Sequence, residues 1–390
     1  MRRIILLSLT MLMAMFGKAQ NSAYYNRYKT WSAQLERAGM EGNSSMEMVC
    51  LGSCYDRGAG VTQDRDKAFS LFQKAAKLGD TIGKFNVALY LYKGYCGPKD
   101  YAEAERIFKE VIDKSPTFGS AYNYLAQIYE EGGHGVESDD VKSFNIWERV
   151  SKVSGWEELG EKNMAMAYKD GKGVPKDIEK AKSMILPYAS NGDDISMIIL
   201  ESCYQEEKNY KEAFKWLEKL HDKGVKFACH NLGDLYYYGN GVEQSYQKAY
   251  ELFSEGAANN RNCKYRQADM LRKGTGVEKD EQQASRLMLE SADDGYGQAC
   301  YVVASDYYKG DYRENNFEEA VKYFNKALES SRYLPEPVRA DIYKKLSSCY
   351  RFGAGVEADE AKADELMEMS AQCGDADAAK IQEWLTKTKD

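Results

Sequence analysis

Apolar and polar residues alternate with the period of an amphipathic helix, and the same pattern recurs along most of the chain. In six segments a small residue lies seven positions after a valine, two large apolar residues follow at ten and eleven, and a small residue returns at fifteen. These offsets describe one buried helical face, so they predict a helix after each valine. The six valines are Val61, Val136, Val174, Val242, Val277 and Val356.

A glycine turn and a helix cap precede each of these helices. Every one of the six valines ends a Gly-x-Gly-Val segment, and three positions later stands a residue whose side-chain oxygen can cap a helix N-terminus. These cap positions are Asp64, Asp139, Asp177, Ser245, Asp280 and Asp359. Another helical stripe lies before the glycines, as from Ala228 to Tyr236. The spacing therefore predicts a repeating unit of helix, glycine turn and helix, about 34 to 40 residues long.

A column of tyrosines accompanies the turns. Three residues before the first glycine, or before its counterpart in diverged units, stand Tyr55, Tyr129, Tyr168, Tyr204, Tyr236, Tyr307 and Tyr350. At a fixed helical position such residues indicate packing, with the hydroxyl at a wet edge, more than a platform for a ligand.

These residues resemble the Sel1-like repeat family, whose pattern is roughly Ala-x-x-Asn-Leu-Gly-x-Leu-Tyr-x-x-Gly-x-Gly-Val, then Asp, Lys-Ala and Ala-Ala. The segment from Ala228 to Ala258 matches this pattern most closely. The resemblance implies an all-α fold, a right-handed α-solenoid of about nine antiparallel helix pairs related to tetratricopeptide repeats. Three units, around residues 100–129, 209–213 and 316–320, lack the second glycine and are expected to be plain tetratricopeptide units.

The ends and the prolines of the chain suggest where the array is bounded. The repeat array is predicted over residues 43–378, with an N-terminal capping helix over 20–42 and a C-terminal capping helix over 379–390, because a stack of helix pairs needs cover over its terminal apolar faces. Pro335 and Pro337 separate the last two units, and Pro187 predicts a kink or an early stop in its helix.

The first residues have the features of a secretory signal peptide. Two arginines precede an apolar run from Ile4 to Phe16, and the small residues Gly17 and Ala19 follow it. We therefore predict a signal peptide over residues 1–19. A membrane anchor is the weaker alternative, because the 13-residue run is shorter than the ~20 residues of a spanning helix. The predicted mature protein is exported to the periplasm or the exterior and has no membrane span.

Composition narrows the classes of partner and of chemistry. The 53 Lys and Arg residues face 61 Asp and Glu residues, a formal net charge of -8, which argues against binding nucleic acid. The chain contains only three histidines, His134, His221 and His230, which leaves little material for histidine-based catalysis or a multi-histidine metal centre. No cofactor and no metal site are predicted, and Cys229 with His230 is interpreted as structural.

Nine cysteines in an exported chain raise the question of disulfides. Most of them occupy equivalent helical positions in different units, too far apart for a bridge, and are expected to be buried small apolar residues. Cys54 and Cys96, near the turns of neighbouring units, are the one candidate pair.

One catalytic motif is matched. Ser245 and Lys248 form Ser-x-x-Lys, the nucleophile signature of penicillin-recognising enzymes. However, Ser245 also falls on the cap column, and no Lys-Thr-Gly or Ser-Asp-Asn partner motif exists. The serine is therefore interpreted mainly as a helix cap, and no catalytic residue is assigned.

The candidate binding residues lie on the first helices, which in solenoids of this kind line a concave face. Eight residues before the first glycine of a turn stand Asn86, Tyr124, Asn163, Asn231, Arg266 and Lys345. Asparagine can both donate to and accept from an extended peptide, and Arg and Lys can pair with acidic groups. Local contacts between adjacent units are an equally open interpretation of the asparagines.

The sequence as a whole predicts an exported, monomeric, non-enzymatic scaffold that binds a protein or peptide on its concave face. Members of the family resembled commonly act as adaptors for protein assemblies. Two alternatives remain: a cell-envelope enzyme acting on cell-wall material or β-lactams through Ser245, and a secreted factor that binds host proteins.

Overall fold

The computed structural model describes residues 44–330 and 334–380, and this part of the chain is helical without a β-strand. The predicted signal peptide over residues 1–19 and capping helix over 20–42 lie outside the described residues, as does 381–390 of the predicted C-terminal cap. The described residues form eighteen helices, which follow one another along the chain as nine units of two helices. The predicted all-α solenoid of about nine helix pairs is therefore confirmed.

The described residues divide into two compact units, with the boundary between Pro187 and Tyr188. Within the described residues, the helices that begin in the first unit are α1 (Ser45–Arg57), α2 (Arg65–Lys77), α3 (Thr81–Lys93), α4 (Tyr101–Lys114), α5 (Gly119–Glu131), α6 (Asp140–Val150), α7 (Glu157–Asp170) and α8 (Ile178–Ser190). Those of the second unit are α9 (Asp194–Glu206), α10 (Tyr210–Asp222), α11 (Phe227–Tyr238), α12 (Tyr246–Gly256), α13 (Arg261–Lys273), α14 (Glu281–Asp293), α15 (Gly297–Lys309), α16 (Phe317–Glu329), α17 (Glu336–Phe352) and α18 (Glu360–Gln372). Odd-numbered helices are the first helices of their pairs and even-numbered helices the second.

Each turn between the two helices of a pair is closed by the same backbone hydrogen bond. The N–H of the residue that caps the second helix donates to the carbonyl of a residue in the last turn of the first helix, as Asp64 does to Tyr55 at 2.9 Å and Ser245 to Tyr236 at 2.9 Å. The other seven such pairs are Asp100 with Leu91, Asp139 with Tyr129, Asp177 with Tyr168, Asn209 with Tyr204, Asp280 with Leu271, Asn316 with Tyr307, and Asp359 with Tyr350. All six predicted cap side chains also accept from the backbone N–H three residues later, so these helix starts are confirmed.

The tyrosine column packs under lysines of the second helices. The ammonium group of Lys180 lies 4.1 Å from the ring centroid of Tyr168, and that of Lys248 lies 5.0 Å from Tyr236. Lys67 with Tyr55 and Lys142 with Tyr129 repeat the arrangement at 5.1 and 5.3 Å. Such cation–π contacts hold the second helix against the first, so the packing role predicted for these tyrosines is confirmed.

The second glycine of a turn has two roles. It allows the turn to form, and it allows close contact between neighbouring helix pairs. Gly241 has a φ of +72°, and a Cβ built on it would lie only 2.6 Å from the backbone nitrogen of Lys211 at the start of α10. A Cβ on Gly276 would meet Tyr246 of α12 at 2.6 Å, and one on Gly355 would meet the start of α16. The turn of one pair therefore lies against the second helix of the preceding pair at a distance that only glycine permits.

Two local expectations have different outcomes. Helix α8 continues past Pro187 to Ser190, so the predicted early stop is wrong; a proline in the last turn removes one hydrogen bond without preventing the remaining residues from staying helical. Pro335 and Pro337 do separate the last two pairs, because α17 begins at Glu336 with Pro335 as its N-cap.

Cysteines serve mainly as core residues. Seven of the nine are buried, and the other two, Cys96 and Cys373, are partly exposed, as expected for small apolar side chains. Cys54 and Cys96 are not joined by a disulfide in the structure, and the Cys96 thiol instead contacts the carbonyl oxygen of Arg65 at 3.4 Å.

The turn between α9 and α10 contains a strained lysine. Lys208 has a φ of +59°, a left-handed conformation that costs about 1–2 kcal/mol for a residue with a Cβ. We expect Lys208→Gly to raise the free energy of unfolding by about 0.5–1 kcal/mol, since glycine removes this strain but is more flexible when unfolded. Thermal unfolding monitored by circular dichroism measures the change. Lys172→Gly, in a turn where the lysine is not left-handed, is the control and should not raise the melting temperature.

Candidate protein-binding surface

All six residues predicted to bind a partner lie on first helices and are partly buried. Asn86, Tyr124 and Asn163 belong to α3, α5 and α7 of the first unit, and Asn231, Arg266 and Lys345 belong to α11, α13 and α17 of the second. Their shared helical position is as the sequence predicts. Their partners differ, and the contacts of each residue show how much of it remains available to a ligand.

The asparagines bond within their own helices. The side-chain amide of Asn86 donates to the carbonyl of Ile82 at 2.9 Å, and that of Asn163 donates to Leu159 at 2.8 Å. Asn231 contacts a ring nitrogen of the adjacent His230 at 3.2 Å. One N–H of Asn86 and one of Asn163 are therefore already used in hydrogen bonds within their own helices.

Tyr124 and Lys345 are held by contacts inside the protein. The Tyr124 ring packs among those of Phe85, Tyr92 and Phe108, with centroids 5.4–6.0 Å away, and burial raises its pKa. Lys345 forms an ion pair with Asp341 one turn earlier. Both side chains thus contribute first to the stability of the repeat.

Arg266 belongs to a row of polar contacts between first helices of successive pairs, which sequence reasoning missed. Its guanidinium group reaches from α13 to Asp234 of α11 at 2.6 Å and lies 4.5 Å from the ring centroid of Tyr237. Contacts of the same kind in the first unit include Tyr90 with Asp56 at 2.5 Å and Tyr92 with Glu131 at 2.6 Å. In the second unit they include Arg272 with Asp306 at 2.7 Å and Tyr301 with Asp341 at 2.8 Å. Burial and the hydrogen bond to Asp341 raise the pKa of Tyr301 to about 12. Partners in this row are 32 to 40 residues apart, close to one repeat length, and that spacing is the signal the sequence offers.

An open pocket of about 370 Å³ lies between α13 and α15 of the second unit. The Arg272 guanidinium group covers the Tyr312 ring at 3.6 Å and pairs with Asp306. The pocket is lined by Asp269, Arg272, Lys273, Met288, Tyr301, Val302, Ser305, Asp306, Lys309, Asp311 and Tyr312. It therefore offers an aromatic wall together with groups of both charges.

Two exposed tyrosines of the second unit offer further contact area for a partner protein. Tyr238, at the end of α11, is 58% exposed, and Tyr312, after α15, is 36% exposed. Tyrosines of this kind are common anchors at protein interfaces because they combine a large apolar ring with a polar group. The pocket together with Tyr238, Asn231 and Arg266 is called below the first-helix surface of the second unit.

Ser245 caps α12. Its hydroxyl accepts from the backbone N–H of Lys248 at 3.3 Å, and the Lys248 ammonium group faces the Tyr236 ring. These contacts are the ones that the cap interpretation predicts. Neither side chain lines the pocket between α13 and α15.

Replacing Ser245 tests that interpretation. We expect Ser245→Ala to lower the free energy of unfolding by about 1 kcal/mol and Ser245→Asp to preserve it, because aspartate also caps helices. Chemical denaturation measures both values. Covalent labelling by a penicillin probe that Ser245→Ala abolishes would instead restore the enzyme interpretation.

Capped helix pairs stacked in series define a helical repeat protein. The Sel1 repeat model matches residues 48–80, 82–110, 119–149, 159–187, 204–224, 226–260, 263–296, 297–331 and 343–375. The chain therefore belongs to the Sel1 repeat family, whose members are protein-interaction scaffolds. The matches include the three units that lack the second glycine, so these are Sel1 repeats and not plain tetratricopeptide units. Among the helices that the structure describes, none combines the length and the hydrophobicity of a membrane-spanning segment.

Solved structures share the fold of this chain, and one curated relative matches part of it. The chain is 26% identical to c5321, a protective antigen of uropathogenic Escherichia coli with an SLR fold, with 89% of this chain and 80% of that one covered and a TM-score of 0.55. A Sel1 repeat protein from Oxalobacter formigenes is 22% identical, with coverage of 81% and 89% and a TM-score of 0.54. Chitin synthase regulator SKT5 of Saccharomyces cerevisiae is 24% identical over 218 residues, 53% of this chain. The match spans 31% of the length of that yeast protein.

Proposed function

We propose that the protein is an exported, monomeric, non-enzymatic scaffold that binds an extended segment of a partner protein. The first-helix surface of the second unit is the proposed site, corresponding to the concave side of a solenoid. The observation that carries the proposal is the pocket between α13 and α15, where two adjacent first helices present an aromatic wall and paired charges to solvent.

The chemistry of the pocket favours a peptide segment with an apolar anchor. Tyr312 and Met288 supply apolar wall, while Lys273 and Asp311 lie at positions from which they can bond to peptide groups. Tyr238 supplies a second exposed ring on the same surface. A side chain of the partner would fill the pocket, and the backbone of the partner would bond to the polar rim. In such sites the apolar contact supplies most of the affinity and the polar contacts fix the orientation.

Capture of partners from the envelope fraction of the producing cell tests the site. Wild-type protein and the double variant Tyr238→Ala/Tyr312→Ala are compared by quantitative mass spectrometry, after circular dichroism has confirmed that both fold. Loss of two exposed anchors should reduce a specific partner at least about tenfold. The matched control is Val141→Ala/Leu186→Ala, which removes two exposed apolar residues from second helices. Equal capture by all three proteins would show that the first-helix surface is not the site.

Export is tested separately. We expect the protein recovered from outside the cytoplasm to begin at Gln20, because the predicted cleavage follows Ala19. Intact-mass measurement identifies this terminus. A chain that starts at Gln20 without residues 1–19 should stay in the cytoplasm; recovery of the full-length chain from the membrane fraction would support the anchor alternative.

A further inference from the structure

Three side chains of different ligand types meet where two successive helix pairs of the second unit join. His221 lies in the last turn of α10, Cys229 near the start of α11, and Glu255 in the last turn of α12. One ligand atom from each, an imidazole nitrogen, the thiol sulfur and a carboxylate oxygen, lies within 4.8 Å of the other two. His221 Nε2 and Glu255 Oε2 are 2.9 Å apart.

The cluster has a buried floor and an open mouth. Cys229 has no exposed surface, whereas the side chains of His221 and Glu255 are 31% and 41% exposed. Gly256 packs closely against Cys229 and Cys263, because a Cβ on it would lie 3.0 Å from the Cys229 Cβ and 2.5 Å from the Cys263 Sγ. An ion could therefore enter from solvent and reach the sulfur, with one coordination position left for water.

We propose that His221, Cys229 and Glu255 form a binding site for a zinc ion. Thiolate with imidazole is a donor set typical of zinc, and a carboxylate oxygen completes three protein ligands. A tetrahedral zinc ion holds such nitrogen, oxygen and sulfur atoms about 3.4–3.6 Å apart, so the three side chains need only small rotations. When zinc binds, the neutral imidazole of His221 carries its one proton on Nδ1, so that Nε2 is free to bind the ion. The Cys229 thiol releases its proton to solvent as it binds.

Lys226 supports the carboxylate without occupying the site. Its ammonium group pairs with the other oxygen of Glu255, Oε1, at 2.5 Å. With zinc on Oε2, this contact fixes the direction of the carboxylate, as outer contacts of metal ligands usually do. The thiolate and the carboxylate together balance the two charges of the ion.

Cys229 and His230 are adjacent in sequence, but His230 is not part of the proposed site. His230 faces Asn231 at 3.2 Å and Asp234 at 3.8 Å, on its own helix. The histidine that meets Cys229 is eight residues earlier, at the end of the preceding pair. The site therefore depends on the packing of one pair against the next.

Zinc content of the purified full-length chain, produced without a histidine tag, tests the proposal. After exposure to zinc and dialysis, we expect one bound ion per wild-type chain and a loss of more than about tenfold in zinc affinity in Cys229→Ser and in His221→Ala. The matched controls are Cys300→Ser, an equally buried cysteine near the start of a first helix, and His230→Ala. Both controls should bind zinc as the wild type does. Cobalt added in place of zinc should give a thiolate-to-metal absorption band that Cys229→Ser abolishes.

The zinc proposal can be contradicted even if one of the variants is unstable. A wild-type chain that retains no zinc, or a cobalt complex without a thiolate band, would overturn the proposal. Zinc binding that survives both Cys229→Ser and His221→Ala would also overturn it, because the ion would then bind elsewhere. His221→Ala changes a partly exposed side chain, so it tests the site independently of the buried cysteine.

Discussion

Replacing Gly241 with alanine is expected to lower the free energy of unfolding of the second unit by about 3 kcal/mol. The backbone at Gly241 is left-handed, with a φ of +72°, which is unfavourable for any residue with a Cβ. The added methyl group would also lie 2.6 Å from the backbone of both Tyr210 and Lys211. Backbone atoms at the start of a helix cannot move aside as a flexible side chain can, so α10 and the turn must separate. Urea denaturation followed by circular dichroism measures the loss.

Gly224 provides a control that separates the effect of the contact between helix pairs from the backbone strain of the turn. Gly224 has a similar φ of +77°, but a Cβ built on it meets nothing within 4 Å. Gly224→Ala should therefore cost only the backbone strain, about 1–2 kcal/mol. Equal destabilisation by Gly224→Ala and Gly241→Ala would mean that the second glycine of the repeat serves the turn alone.

Removing the Asp306 carboxylate is expected to cost about 3 kcal/mol in the free energy of unfolding. Its side chain is only 8% exposed and pairs with Arg272 at 2.7 Å. Burial raises the pKa of Asp306, although the ion pair with Arg272 acts to lower it. The cost of removing the carboxylate from water is therefore large compared with its attraction to Arg272. Asp306→Ala leaves the guanidinium group partly buried without its partner, and that unpaired charge is the source of the loss.

The double variant Arg272→Met/Asp306→Leu should be much less destabilised than Asp306→Ala, because it removes both charges and keeps apolar volume. Asp269→Ala, on the same helix as Arg272, provides the control for a pair whose cation is exposed to solvent. Lys273, its partner at 2.7 Å, is 57% exposed, so the cost should stay below about 1 kcal/mol. Chemical denaturation of the wild type and the three variants measures these differences in the free energy of unfolding. A double variant as unstable as Asp306→Ala would contradict the desolvation argument.

The features that could be predicted from the sequence are those set by residues close together in the chain. Asp64 and Ser245 cap the helices that follow them, because a cap and its N–H donor are three residues apart. Helical periodicity likewise identified the first helices and the position of Asn86 on them. Of the two outcomes predicted at Pro187, a kink or an early stop, the stop is wrong, because a proline near a helix end removes only one hydrogen bond.

Contacts between repeats were not accessible to the same reasoning. Arg266 with Asp234, and Cys229 with His221, form only after one pair packs on the next, and the sequence does not state that register. The role of Gly241 as a contact residue was hidden for the same reason, since a glycine in a turn has a sufficient local explanation. The binding column of Asn86, Tyr124, Asn163, Asn231, Arg266 and Lys345 therefore stays a prediction, because a shared helical position alone does not determine what each side chain contacts.

The glycine contact between turns and preceding helices has a consequence for how such a chain can change length in evolution. Each turn matches the start of the second helix one pair earlier, as Gly276 matches Tyr246 and Gly355 matches the start of α16. Duplicating or deleting one complete repeat recreates this match at the new junction. Adding a single residue within a turn displaces the glycine from the helix it meets. Gene variants that gain or lose whole repeats should thus be tolerated where shorter insertions in the turns are not.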